Sequence, residues 1–129
     1  GFDTLVDEGD GGGDYADGYL VPVPEARKED YRALAARMAP VFRGYGATRV
    51  VEAWGDDLPD GKLTDFRRAV KAEDGENVVF SFVEWPDKAT RDAGWAKMME
   101  EDGPDGDMPF DGKRMFWGGF RPVVDLQGS

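Results

Sequence analysis

Residues 77–85 read NVVFSFVEW, and the fold turns on this stretch. Val79 and Val83 alternate with Phe80 and Phe82, so a pleated strand here presents large apolar groups to both of its faces. Helices laid on one side of a sheet cover only one of those faces. The other needs a cover of its own, and the simplest is a second copy of the chain. The stretch therefore predicts a twofold, sheet-to-sheet homodimer that buries on the order of 1,600 Å².

Upstream of it, AEDGE (72–76) separates the strand from 66–71, and Asp74-Gly75 tolerates the positive φ of a tight turn. The pair reads as a β-hairpin. Before that, TRVVEAWG (48–55) is a short strand that ends in the turn-rich DDLPDGK. Further back, YADGYLVPV (15–23) sets Tyr15, Tyr19, Val21 and Val23 on one side of a pleat. Pro24 suits the first turn of a helix, whose apolar face is Tyr31, Leu34, Ala35, Met38, Val41 and Phe42. That helix closes near Gly44 or Gly46, with a kink or break expected at Pro40, which lacks an N–H.

Downstream, Pro86-Asp87 opens a second helix with Asp87 as N-cap, a small-residue face of Ala89, Ala93, Ala96 and Met99, and an end near Gly103. Residues 114–125 supply the last strand, where Gly118-Gly119 predicts a bulge or a close backbone contact. The resulting order is β-α-β-(β)-β-α-β. It predicts an α+β, ferredoxin-like βαββαβ sandwich with an extra hairpin strand and two helices on one face.

Residues 1–14 carry five acids, no base, and four glycines between Gly9 and Gly13. They read as an acidic, Gly-rich tail in which Phe2, Leu5 and Val6 could dock on the domain. Its oxygen spacing does not fit a calcium loop. The domain proper spans 15–125, followed by a C-terminal tail at 126–129.

Composition narrows the chemistry. Without cysteine there is no thiolate nucleophile, disulfide or cysteine zinc site. Without histidine, serine–histidine dyads and histidine-held haem are excluded, and any proton transfer falls to Asp, Glu, Lys, Tyr or water. A formal charge of −11 opposes phosphate backbones, so nucleic acid is not expected as a partner. No apolar run reaches the roughly 20 residues of a membrane span and no signal sequence opens the chain, so the expected location is cytoplasmic.

Four blocks resemble a known family: YADGYLVPVP (15–24), VVEAWGDDLPDGKLTDFRRAVK (50–71), VVFSFVEWP (78–86) and above all MPFDGKRMFWGGF (108–120). They are similar to the YbaA-like proteins, a bacterial domain-of-unknown-function family in the dimeric α/β-barrel superfamily. The resemblance implies a ferredoxin-like, two-subunit arrangement. It transfers no catalytic residues, because the family has no established activity. Related families include haem-dependent and histidine-dependent enzymes, which the missing histidines set aside, and cofactor-free ones.

Candidate site residues come from charges set within apolar strands. Glu52 stands near Trp54, Glu84 beside Trp85, and Arg67 and Lys71 lie on the expected hairpin. A buried charge needs a partner, so these are either cross-strand ion pairs or the polar end of an aromatic-lined pocket. In the pocket reading Glu52 or Glu84 is the base, Arg67 or Lys71 the anion anchor, and Trp54 and Trp85 the walls. Asp56, Asp57, Asp102, Asp105, Asp107 and Asp111 read as solvated turn acids, so neither a metal nor a cofactor is expected. Two functions stay open: a small-molecule-binding domain, as a cofactor-independent enzyme on a small aromatic or carbonyl compound, or a non-catalytic dimeric interaction module.

Overall fold

Alternation along the chain builds one five-stranded antiparallel sheet from β1 (Phe2–Glu8), β2 (Tyr15–Pro24), β3 (Arg49–Gly55), β4 (Glu76–Trp85) and β5 (Phe116–Phe120). The computed structural model describes residues 1–101 and 109–126. The strand order is β1-β3-β4-β2-β5 with antiparallel neighbours throughout. Helices α1 (Lys28–Gly44), α2 (Phe66–Ala69) and α3 (Lys88–Glu101) complete the described elements, with a 3₁₀ turn at Glu25–Arg27. Without β1, the order β3-β4-β2-β5 crossed by α1 and α3 is compatible with the ferredoxin-like arrangement.

The fifth strand is not where the hairpin reading put it. Residues 66–69 form α2, because Asp65 accepts the Arg68 backbone N–H at 2.8 Å and starts a helical turn, and Val70 then drops into a fully buried position. The extra strand is instead β1, from the segment read as a tail. It pairs with β3 through a bulge between Thr4 and Val6, so that both Leu5 and Val6 pack against the core. Phe2 packs against Phe66 and Phe80 at ring distances of 5.1 and 5.7 Å.

Helix α1 buries Tyr31, Ala35 and Ala39, and it continues past Pro40 without a break. Pro40 faces solvent near the C-terminal end, so only one backbone bond is forfeited there. In α3 the inward residues are Gly94 and Met98, with Arg91 and Trp95 half-buried, whereas Ala89, Ala93, Ala96 and Met99 are exposed. The small-residue face is thus one position off. The close approach it was meant to allow is made by Gly94, where a Cβ would stand 2.9 Å from the Trp85 ring. Asp87 does cap this helix, accepting the Thr90 N–H at 2.7 Å. The expected end near Gly103 lies outside the described residues.

Strand β5 stops at Phe120, short of the expected 125, since Pro122 has no N–H to pair. Gly119 makes the expected close contact: a side chain there would collide with the Tyr15 hydroxyl. One sheet face, covered by α1 and α3, holds the core of Tyr15, Tyr19, Val21, Val23, Val50, Trp54, Val79, Val83 and Trp85. The opposite face leaves Phe80, Phe116 and Phe120 at 36%, 45% and 63% exposure.

Candidate functional site

Strand register places a row of polar side chains across the middle of the helix-covered face. Tyr19 on β2 is opposite Ser81 on β4, and Ser81 is opposite Glu52 on β3. The row ends at Trp117 on β5, opposite Tyr19, and at Val6 on β1, opposite Glu52. Tyr19 and Glu52 are therefore two strand spacings apart, roughly 10 Å at the backbone. Ser81, the smallest of the three side chains, lies between them in the row.

The Glu52 carboxylate accepts a hydrogen bond from the Tyr31 hydroxyl of α1 at 2.9 Å. Burial pushes its pKa up to about 7, although hydrogen bonds from Tyr31 and Ser81 pull the other way. Tyr31 is held well above the ordinary phenol range by burial and by the Glu52 charge. Tyr19 is raised as well, by burial and then by the charge of Asp17, partly offset by Arg91. The buried Tyr19 hydroxyl has no hydrogen-bond partner. The Trp95 indole N–H donates to Asp17 at 3.1 Å and lies close enough to the Tyr19 oxygen to offset part of that rise.

Asp17 sits one row along, fully buried, and it is the clamp of α3. Trp85 donates to it at 3.2 Å, Trp95 at 3.1 Å and Arg91 through Nε at 3.0 Å and Nη2 at 2.8 Å. The Arg91 guanidinium lies 5.4 Å from the ring centres of both Tyr15 and Trp117. Trp117 stacks on Trp95 at 6.2 Å and is itself 55% exposed, so the row runs from half-buried Glu52 to an aromatic edge open to solvent.

Of the residues singled out in the sequence, the structure keeps Glu52, Trp54 and Trp85 on the helix-covered face and separates the rest. Glu84 is opposite Arg49 in the register, on the face away from the helices, with Arg49 Nη1 3.7 Å from its Oε2. Glu52 pairs with Ser81 instead, and this difference of one residue in parity puts the two glutamates on opposite sides. Arg67 belongs to α2 and donates to the Glu76 carbonyl at 2.8 Å, and Lys71 is an exposed turn residue at φ 52. Neither lies on a strand, because the hairpin that would have carried them is absent. Trp54 is buried with the Lys28 ammonium 5.4 Å from its ring centre, and Trp85 is sealed in by Asp17.

Asp56 and Asp57 are exposed, and among the described residues no three carboxylates converge as metal ligands would. Asp102, Asp105 and Asp107 lie outside the described residues. Asp111 is a turn acid that accepts from the Lys113 N–H and from Arg114. Arg114 also forms a two-pronged bridge to Glu76 at 2.6 and 2.7 Å, tying the PFDGKR turn to β4. Two solvent-open grooves, of about 400 and 410 Å³, run along Tyr45, Ala93 and Lys97 and along Asp14 and Arg121, and neither is lined by Glu52.

Sequence reasoning missed Asp17, Tyr19 and Ser81 as site residues. The signal was available for two of them: Asp17 and Ser81 occupy a core-facing parity between apolar neighbours, Asp17 between Tyr15 and Tyr19, and Ser81 between Val79 and Val83. Arg91 and Tyr31 gave no such sign, because helix positions reveal their partners only once the helix is docked.

Fold and site define an α+β antiparallel-sheet domain with a buried tyrosine–serine–glutamate row beneath its helices. The chain matches the family described as "Protein of unknown function (DUF1428)" over residues 14–112, and it belongs to that family. It is 53% identical over 116 residues to the uncharacterized protein YbaA of Escherichia coli strain K12, covering 86% of this chain and 97% of that protein. The same figures hold for the uncharacterized YbaA proteins of Escherichia coli O157:H7 and Shigella flexneri.

Proposed function

We propose that the protein is a small-molecule-binding domain whose ligand engages the Tyr19–Ser81–Glu52 row, with Glu52 as its proton-exchanging group. The observation that carries this reading is geometric: a half-buried glutamate, whose pKa burial pushes up to about 7, shares a row on the helix-covered face with a buried phenol hydroxyl that has no partner. A purely structural core has no use for either feature, since each costs stability. The aromatic surroundings of Tyr19, Trp95 and Trp117 suit a small, flat compound that enters from the exposed Trp117 end. Glu84 is not part of this site.

The test is a thermal-shift screen of small metabolites on the wild-type protein and Glu52→Gln. A ligand of the folded state raises the melting temperature by mass action. A hit whose shift disappears in Glu52→Gln supports the reading, and shifts indifferent to Glu52 count against it.

A second reading, a non-catalytic homodimeric interaction module, is favoured by a different observation. Phe80, Phe116 and Phe120 stand exposed on the sheet face opposite the helices, beside half-buried Phe82 and Leu20. Each such side chain gains about 1.5–3 kcal/mol on full burial, so a second copy seated there would be strongly held. The two readings are compatible, because they use opposite faces of one sheet.

A further inference from the structure

The arrangement of the polar row points to a reaction class. Resting on the binding reading above, we infer that the row catalyses proton transfer at the carbon next to a carbonyl group, Glu52 taking the proton and Tyr19 hydrogen-bonding the carbonyl oxygen. The two groups face the same layer from either side of Ser81, the smallest member of the row, and the Tyr19 hydroxyl is a buried polar atom there without a partner.

Each group is suited to its part. A base must be ionised in part yet basic enough to accept a proton from carbon, and a glutamate with a pKa of about 7 meets both conditions near neutral pH. An oxyanion donor must keep its proton and have it free. Burial and the Asp17 charge hold Tyr19 in the neutral O–H form, and no protein acceptor competes for that hydrogen.

The step balances without any co-reactant. The Glu52 carboxylate removes a proton from the α-carbon, and the C–H electron pair becomes the carbon–carbon π bond of an enolate. The carbonyl π pair moves to oxygen, where the Tyr19 O–H stabilises it. Return of the proton to the same carbon gives exchange, and return to a conjugated carbon gives a double-bond isomer. No histidine, metal or redox cofactor takes part.

The experiment follows α-hydrogen exchange by proton NMR in D₂O, with acetoacetate, 2-oxobutyrate and phenylpyruvate as probes and their thermal shifts measured in parallel. Wild type is expected to exchange at least one probe at least tenfold faster than buffer, increasingly as pH rises through about 7. Glu52→Gln is expected to fall to the buffer rate. Tyr19→Phe is expected to lose about 10²-fold in kcat with little change in KM, while Glu84→Gln keeps the wild-type rate. Binding of a probe without exchange overturns the reaction but leaves the binding domain standing. Absence of any shift, for these probes and across the metabolite screen, overturns both. Exchange that survives Glu52→Gln overturns the assignment of the base.

Discussion

Tyr19 and Glu52 carry costs that a fold optimised for stability alone would shed. A buried hydroxyl without a partner costs about 1–3 kcal/mol, so Tyr19→Phe is expected to raise the unfolding free energy by about 1–2 kcal/mol, read from urea midpoints. A fall in stability would mean that the hydroxyl is bonded in solution. For Glu52, folding lifts the pKa from 4.5 to about 7, so between those values the folded protein holds a proton that the unfolded chain releases. This contribution, about 3 kcal/mol, is complete below pH 4.5 and is lost as pH climbs through about 7. Comparing urea midpoints at pH 5 and pH 8 should show wild type losing that increment while Glu52→Gln does not. Carboxylates held low, such as Glu76 beside Arg114, act in the opposite sense at lower pH and cancel in the comparison. At this scale the sequence marked Glu52 by placing a charge in an apolar strand. Glu84 carried the same mark and lies on the other face, because which parity faces the helices depends on register with neighbours that are distant in the chain.

Among the elements, α3 depends on one residue of β2. Asp17 receives donors from Arg91, Trp85 and Trp95, so Asp17→Ala leaves the mostly buried Arg91 guanidinium without its main partner. A loss of about 3–5 kcal/mol is expected, with a red shift in tryptophan emission as Trp95 is wetted. Unchanged stability in calorimetry would refute the clamp. Strand β1 is the second case. Deleting residues 1–9 strips Leu5 and Val6 from the core, takes Phe2 from Phe66 and Phe80, and leaves β3 as an open edge. The melting temperature should fall by about 10 °C, rather than the few degrees expected of a tail. The sequence made β2, β3, β4 and α1 readable through their apolar periods, and α3 through its Asp87 cap. It concealed β1 because an acidic, glycine-flanked strand has the composition of a disordered segment, and only pairing with β3 gives it structure. It likewise concealed α2, whose four residues are too few to show a period and whose start rests on the Asp65 cap.

For the whole molecule, the proposal to test is that the exposed aromatic face joins two copies. Light scattering at micromolar concentration is expected to give twice the chain mass, and Phe120→Asp combined with Phe80→Asp to give a folded monomer. A wild-type monomer would rule the dimer out. The sheet's two outer edges bear on how far such association can go. The outer edge at β1 is charged by Asp3, Asp7 and Glu8 and broken by a bulge, whereas the edge at β5 is a short run of aromatics and glycine that ends at Pro122. With one guarded border and one adhesive border, head-to-tail stacking has no second surface to continue on. Edge pairing taken by itself would join β5 to β5 about a twofold axis and close at two copies, which guards against open-ended strand addition.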